Sequence, residues 1–389
     1  MNKIINNIKN DYLYRFFSSF DITSAIWVLY LGYKGMNLVQ IGLLEGIFHI
    51  TGFISELPTG ALADLFGRRK VMIIGRLTSL ISAIIMLFSN SFLGFAIGFI
   101  LSAWGYNLNS GSEEALIYDT LKALKREEEY LKINGRINLI IEVSQGLAVF
   151  IGGLLSQINF SISYITAIII GMFSLTISFN FIEVDIREEH EERVTLVDHF
   201  KTSINILKNN GRLLNTLIFF PIIYTSSAII YFYGQQFLSN VGYSRASISI
   251  IFLFNGILSS VGAILSDKIY RRFKSSGWLL ISMIISLSII LMGYVSRQVV
   301  ILIFLSIGFL TSILQPISSK LINSMVESKQ RATIISVESM FYSLMMIILF
   351  PICGLIGDKF ALEIAFKFIG IIGALITIIE MLIIRKKII

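Results

Sequence analysis

The chain has 389 residues; 55% of them are hydrophobic and 15% are charged, with a formal net charge of +7. Soluble domains carry about 25% charged residues, so this composition excludes an ordinary water-soluble fold and predicts an all-α integral membrane protein. One cysteine and three histidines also exclude a disulfide framework, a four-cysteine metal site and an iron–sulfur cluster within the chain. We expect neither a cofactor nor a bound metal.

Long apolar stretches recur along the chain, separated by short polar turns. Each is close to the roughly 20 residues that a helix needs to cross the hydrocarbon layer. They predict twelve transmembrane helices, at residues 12–31, 40–62, 71–89, 92–117, 137–157, 162–183, 213–238, 246–266, 277–296, 298–319, 332–356 and 362–384.

The connections between these stretches alternate in charge. Those near 63–70, 118–136, 184–212, 267–276 and 320–331 are rich in Lys and Arg, and the intervening ones are short and nearly uncharged. Basic connections stay on the cytoplasmic side of a membrane. We therefore predict cytoplasmic termini in a cell (inner or plasma) membrane, and we attribute the positive charge to topology rather than to nucleic acid binding.

The longest polar connection divides the predicted helices into six and six. It defines an N-terminal bundle at 1–183, a cytoplasmic linker at 184–212 and a C-terminal bundle at 213–389. An Asp-x-x-x-Arg-Arg pattern follows the second predicted helix at Asp64 and the eighth at Asp267. Such duplicated halves are typical of secondary transporters.

A conspicuous motif runs from Gly60 to Arg69, in the connection after the second predicted helix. It resembles the signature of the major facilitator superfamily, G-x-L-a-D-r-x-G-r-r, with Leu65 standing where a basic residue is usual. The resemblance implies two six-helix pseudo-repeats, a monomer, and a latch that holds the inner side closed in one state. The latch residues would be Gly60, Asp64, Gly67, Arg68 and Arg69.

Two further features resemble bacterial tetracycline and multidrug exporters. Glu56 and Pro58 extend the motif upstream, and Gly152 and Gly153 match the end of a glycine-rich signature on the fifth helix. The Gly-Pro pair of that signature is replaced, with Ala148 in the glycine position. The resemblance implies efflux of amphipathic drugs, such as tetracycline, in exchange for protons.

Ionisable side chains inside a membrane cost about 2.5–3.5 kcal/mol on insertion scales, so each suggests a function or a partner. We take five as proton-coupling candidates: Asp21, Glu45, His49, Glu56 and Glu142. Asp21 falls near the middle of the first predicted helix, and the next three share one face of the second. Alternatively, Glu56 belongs to the latch and Glu45 is hydrated near the outer surface.

Structural ion pairing is the preferred interpretation of Arg76, Glu113 and Glu114, and it competes with proton coupling for Glu142. Aromatic rings and amides elsewhere suggest a pocket for flat or cationic molecules. The substrate-binding candidates are Trp27, Trp104, Asn107, Tyr224, Tyr231, Gln235, Asn255 and Gln315. Interfacial or helix-packing roles are the alternative for each of them.

The sequence contains no glycine-rich nucleotide-binding loop, so ATP hydrolysis is not expected and we predict a transporter, not an enzyme. The favoured function is proton-coupled efflux of a small molecule by alternating access. The alternatives are transport of a specific metabolite, sugar or metallophore, and a membrane sensor that does not transport. The expected partners are the substrate, protons and the lipid bilayer.

Overall fold

A computed structural model describes residues 4–184, 210–273, 277–326 and 331–386. Most of the predicted linker at 184–212 lies outside these ranges. The described residues form helices joined by short turns, with no strand among them. The predicted all-helical architecture is therefore confirmed.

Residues 4–184 form seven α-helices, and a short 3-10 turn at Glu127–Glu129 precedes the sixth. The helices are α1 (Asn6–Ser18), α2 (Trp27–Tyr33), α3 (Leu38–Phe66), α4 (Arg68–Phe88), α5 (Phe92–Ala123), α6 (Tyr130–Ile158) and α7 (Phe160–Ser178).

The described residues after 209 form six helices. They are α8 (Gly211–Asn240), α9 (Arg245–Phe273), α10 (Gly277–Leu291), α11 (Arg297–Asn323), α12 (Arg331–Lys359) and α13 (Leu362–Lys386). Across the described parts of the chain, nine helices are long and apolar enough to cross a membrane. They are α3, α4, α6, α7, α8, α9, α11, α12 and α13.

The first predicted span is not one helix. α1 ends at Ser18 and α2 begins at Trp27, so residues 19–26 interrupt the helix predicted at 12–31. Within the gap, Asp21 Oδ1 accepts hydrogen bonds from Thr23 N and Thr23 Oγ1, at 2.9 and 2.6 Å, and Ser24 Oγ donates to the Asp21 carbonyl. Short polar side chains that bond the nearby backbone compete with helix formation.

The chain separates into two compact units. Unit 1 comprises Met1–Tyr30, Ile47–Arg193 and Ser244–Ser249; unit 2 comprises Leu31–Gly46, Val194–Tyr243 and Ile250–Ile389. The predicted bundles follow chain order, whereas the first residues of α3 belong to unit 2 and the first residues of α9 belong to unit 1.

Each unit has its own apolar core. One buried cluster in unit 1 joins α1, α4, α5 and the end of α7, and it consists of Tyr14, Met72, Leu116, Ile177 and Phe181. A buried cluster in unit 2 joins α8, α11 and α12, and it consists of Leu213, Leu217, Ile322, Ile334 and Val337. The cluster of unit 1 packs together α1, α4 and α5, which also carry buried polar side chains.

Candidate functional site

Four polar side chains from three helices of unit 1 meet in a buried ion-pair network. The Glu113 carboxylate of α5 accepts hydrogen bonds at 2.6 Å from Tyr14 Oη of α1 and Arg76 Nη2 of α4. Its second oxygen accepts from Arg15 Nη1, also of α1. Arg76 Nε in turn donates to Tyr14 Oη at 2.7 Å. Two guanidinium groups therefore share one carboxylate that is 4% exposed.

A second carboxylate lies at the edge of this network. Asp11 is 1% exposed, and its Oδ1 lies 3.4 Å from Arg15 Nε. Among the described residues, neither oxygen of Asp11 accepts a hydrogen bond. A buried carboxylate with an ion partner but no hydrogen bonds is incompletely compensated for its lost hydration. We call Asp11, Tyr14, Arg15, Arg76 and Glu113 the charge cluster.

The ion pairing expected of Arg76 and Glu113 is confirmed, but Asp11 and Arg15 were not among the predicted site residues. Asp11 precedes the predicted start of the first span at residue 12, so hydropathy left it in the polar terminus. The usable signal was periodicity, because positions 11, 14 and 15 share one face of a helix.

The proton-coupling candidates fall in different environments. Asp21 is exposed in the gap between α1 and α2. Along α3, Glu45 is buried, His49 is half-buried beside the Phe48 ring, and Glu56 is exposed. Glu142 is exposed on α6. None of these five belongs to the charge cluster.

Part of the motif forms a turn held within unit 1. Gly67 joins α3 to α4 with a φ of 91°, a conformation that side chains other than glycine rarely adopt. The Glu183 carboxylate accepts hydrogen bonds from the backbone N–H groups of Arg68 and Arg69, at 2.9 and 2.8 Å. It therefore caps the N-terminus of α4, where negative charge is favoured.

The arginines of the motif also have partners. Arg68 Nε lies 3.0 Å from Asp119 Oδ2 at the end of α5, and Arg69 Nη2 donates to the Phe179 carbonyl at 2.9 Å. Gly60 and Asp64 belong to α3, but the surroundings of Gly60 and the side chain of Asp64 lie outside the described part of the structure. The latch role of these residues remains a prediction.

We expect Glu183→Gln to lower the free energy of unfolding by about 1 kcal/mol, because a charged cap of two backbone N–H groups is weakened. The shift is measurable as a lower melting temperature of the purified protein in detergent. Glu142→Gln removes the same charge from an exposed site on α6 and serves as the control. Equal shifts in the two variants would contradict the capping role.

A cavity of about 450 Å³ lies beside this turn in unit 1. Its polar and aromatic lining comes from α4, α5 and α6 and includes Arg68, Glu114, Tyr118, Asp119 and Tyr130. None of the predicted substrate-binding residues is among its lining residues. Among the described residues, no group of three His, Cys, Asp or Glu side chains could hold a metal ion.

The two glycines of the partial exporter signature permit close packing in unit 1. A Cβ atom on Gly152 would overlap the carbonyl oxygen of Ile22, in the gap between α1 and α2. A Cβ atom on Gly153 would overlap the side chain of Ser249, near the start of α9. These contacts explain the Gly-Gly pair without reference to a substrate.

The substrate-binding candidates of unit 1 have separate surroundings. Trp27 packs edge-on against Phe99 with ring centroids 5.6 Å apart. Trp104 is 52% exposed. Asn107 Nδ2 donates to the Gly52 carbonyl at 2.6 Å, which ties α5 to α3. Asn107 thus has a packing role whether or not it meets a substrate.

The candidates of unit 2 lie mainly on α8. Tyr224 Oη donates to Ser318 Oγ of α11 at 2.6 Å, and the Tyr231 ring packs on Phe252 of α9 at 4.7 Å. Each ring therefore connects α8 to a neighbouring helix.

The three amide candidates of unit 2 differ in exposure. Gln235 is 0% exposed and Gln315 is exposed. Asn255 is 7% exposed, and within the described part of the chain its Oδ1 has no hydrogen-bond partner. That oxygen lies against Gly308 of α11, where an added Cβ atom would overlap it.

Among the described residues, nine apolar helices of membrane-spanning length and a buried ion-pair network in unit 1 indicate a multi-pass membrane protein. The sequence pattern of the Major Facilitator Superfamily matches residues 12–307 and 217–387. The chain belongs to the Major Facilitator Superfamily, as the motif at Gly60 to Arg69 predicted.

Curated relatives are also named as transporters. The MFS-type transporter YxaM of Bacillus subtilis (strain 168) is 24% identical over 357 residues, which cover 90% of this chain and 88% of the relative. A transporter of Buchnera aphidicola subsp. Schizaphis graminum is 30% identical over 171 residues, which cover 43% of this chain and 42% of the relative.

Solved structures with low sequence identity share the fold. The nucleoside transporter NupG aligns with a TM-score of 0.79 at 14% identity, covering 98% of each chain. The D-xylose–proton symporter aligns with a TM-score of 0.73 at 12% identity, covering 96% of each chain. These similarities support the transporter fold and leave the substrate open.

Proposed function

We propose that the protein is a proton-coupled secondary transporter that exports an amphipathic small molecule by alternating access. The charge cluster is the observation that carries this proposal. Ionisable groups cost free energy inside a membrane, and those that are kept there commonly serve ion or proton pathways. Family membership supports transport, and the cluster supports coupling of transport to protons.

The proposed topology has twelve spans in two groups of six. Nine helices meet the length and composition expected of a span. The remaining three spans would be the α1–α2 pair, α5 and α10. Basic connections would face the cytoplasm, with both termini inside the cell membrane and the linker at 184–212 between the halves. We further propose that the protein acts as a monomer.

In this proposal, proton coupling depends on Arg15, which lies next to two carboxylates. Its guanidinium contacts Glu113 through one nitrogen and approaches Asp11 through another. Movement of Arg15 away from Asp11 would leave that carboxylate buried without its positive partner, a situation that favours the neutral acid. Return of Arg15 would favour release of the proton. Asp11 is thus the first proposed carrier.

The residues predicted from sequence complete the proposal. Asp21 and Glu56 are further proton-carrier candidates because neither side chain is enclosed by the protein. Glu45, His49 and Glu142 rank after them. Gly60, Asp64, Gly67, Arg68 and Arg69 would form the inner latch, with Arg68 released from Asp119 as the latch changes state.

A second candidate function is transport of a specific metabolite. The buried, unbonded Oδ1 of Asn255 favours a substrate that donates a hydrogen bond, because a site built around such a group selects against purely apolar ligands. Nucleoside and sugar transporters among the structural neighbours are compatible with a hydrogen-bonding substrate. Trp27, Trp104, Tyr224 and Tyr231 would instead favour a flat aromatic drug.

Proton movement in liposomes tests the proposal. Purified protein would be reconstituted with a pH-sensitive dye inside, and tetracycline, ethidium, a nucleoside and D-xylose would be added in turn. We expect one of them to drive proton movement, and Asp11→Asn to reduce that movement at least tenfold. A response to the nucleoside or D-xylose alone would favour the second function.

The matched control is Asp267→Asn, which removes a carboxylate whose side chain is 58% exposed and paired with Arg271. It is expected to retain normal proton movement. Substrate counterflow without any proton movement in the unaltered protein would contradict proton coupling.

A further inference from the structure

The Leu38 end of α3 has an unusually complete set of hydrogen bonds. Asn37 and Gln40 form a reciprocal cap: Asn37 Oδ1 accepts from Gln40 N at 2.8 Å, and Gln40 Oε1 accepts from Asn37 N at 3.1 Å. This local pair leaves the N–H groups of Leu38 and Val39 without partners. A helix start normally leaves such groups to water or to a capping side chain.

Asp358 supplies the missing acceptors from the end of α12. Its Oδ1 accepts from Leu38 N at 3.0 Å, and its Oδ2 accepts from Val39 N at 2.9 Å. The carboxylate thereby binds the positive end of the α3 dipole with both oxygens. Asp358 is exposed, so water can replace either partner when they separate.

A second contact within unit 2 involves the backbone carbonyl of Leu38. Tyr233 Oη of α8 donates to the Leu38 carbonyl at 2.7 Å. Glycines allow this approach, because a Cβ on Gly42 would lie 2.8 Å from Tyr233 Oη and a Cβ on Gly354 would overlap the Leu38 carbonyl. Both the N–H and the C=O side of Leu38 are therefore held by unit 2.

We propose that Asp358 and Tyr233 form a releasable lock on the Leu38 end of α3. The first nine residues of α3 pack in unit 2, whereas the helix from Ile47 onward belongs to unit 1. Because α3 is one continuous helix, its part from Ile47 onward can move away from unit 2 only if the Leu38 end is released from unit 2. In the proposed topology the lock lies at the outer face, and its opening is a step of the transport cycle.

Cysteine labelling tests the lock without any substrate. The native Cys353, which is buried, would be replaced by alanine, and Ile41→Cys would place a thiol on α3 where the native side chain is 1% exposed. The probe is a membrane-impermeant maleimide acting on purified protein. We expect Asp358→Ala to raise the labelling rate about fivefold, the effect of losing one helix cap.

Two further variants are compared with Asp358→Ala by their labelling rates. Tyr233→Phe removes only the hydroxyl and is expected to raise labelling less than Asp358→Ala, since the cap remains. Asp267→Asn, an exposed carboxylate on α9, should leave labelling unchanged. A second reporter, Ile289→Cys in the core of unit 2, separates release from unfolding because Ile289 is 0% exposed.

Labelling at position 41 that is unchanged in Asp358→Ala would overturn the lock. An equal rise at positions 41 and 289 would also overturn it, because Asp358 would then stabilise the fold as a whole. The role in the cycle depends on the proposed transport function, but the labelling result does not. A failed transport assay with selective labelling would leave the lock intact and reject the proposed function alone.

Discussion

Glu113→Gln is expected to lower the free energy of unfolding by about 3–5 kcal/mol, the usual cost of removing one partner from a buried ion pair. Glutamine has nearly the same volume, so the loss reflects charge and not packing. Without the Glu113 carboxylate, the Arg15 and Arg76 guanidiniums would face each other with Asp11 as the remaining buried anion. Thermal and denaturant unfolding in detergent would measure the change.

Glu114→Gln provides the matched control, because Glu114 is the next residue along α5 and is exposed. The double variant Glu113→Gln with Arg76→Met should recover part of the loss, since one unpaired cation is removed together with its anion. A Glu113→Gln protein as stable as the Glu114→Gln control would show that the network contributes nothing to the fold.

Gly152→Ala is the second substitution with a large expected effect. The added methyl group would overlap the backbone carbonyl oxygen of Ile22, which cannot rotate away as a side-chain end can. Overpacking of this kind costs about 1–3 kcal/mol and displaces the neighbouring backbone. We expect a lower melting temperature and weaker transport, because the displaced backbone lies in the interrupted first span.

The control lies on the same helix. A Cβ on Gly135 meets open space, so Gly135→Ala should leave stability unchanged or raise it by up to about 1 kcal/mol through better helix propensity. Similar melting temperatures for Gly152→Ala and Gly135→Ala would mean that α6 can move away from Ile22 without cost.

Hydropathy predicted the membrane helices well because each long apolar stretch must satisfy its own backbone hydrogen bonds in lipid. The predicted span at 298–319, for example, lies within α11. The method failed at residues 19–26, where Thr23 donates to the Asp21 carboxylate and Ser24 Oγ donates to the Asp21 carbonyl, within an otherwise apolar stretch. Hydropathy is averaged over a window of residues, so it does not detect single side chains that compete with the helix for backbone hydrogen bonds.

The candidate site was predictable only in part. The motif predicted the turn at Gly67, because a glycine just before the start of a helix indicates a tight turn from the local sequence alone. Glu183 is 115 residues from Arg68 along the chain, and Asp119 is 51 residues from Arg68. A single sequence carries no record of such pairings. Asp11 and Arg15 were not predicted for a related reason, since their burial depends on α5, α6 and α7, which pack against α1, and not on their neighbours in the sequence.

The break between α1 and α2 has a mechanical consequence. A continuous helix behaves as a stiff rod and transmits torque from one end to the other, but residues 19–26 contain no uninterrupted α-helical ladder. α1, which carries three members of the charge cluster, can therefore rotate or tilt while α2 keeps Tyr30 packed against Tyr164. Rearrangement of the charges requires no matching rotation of the rest of the span.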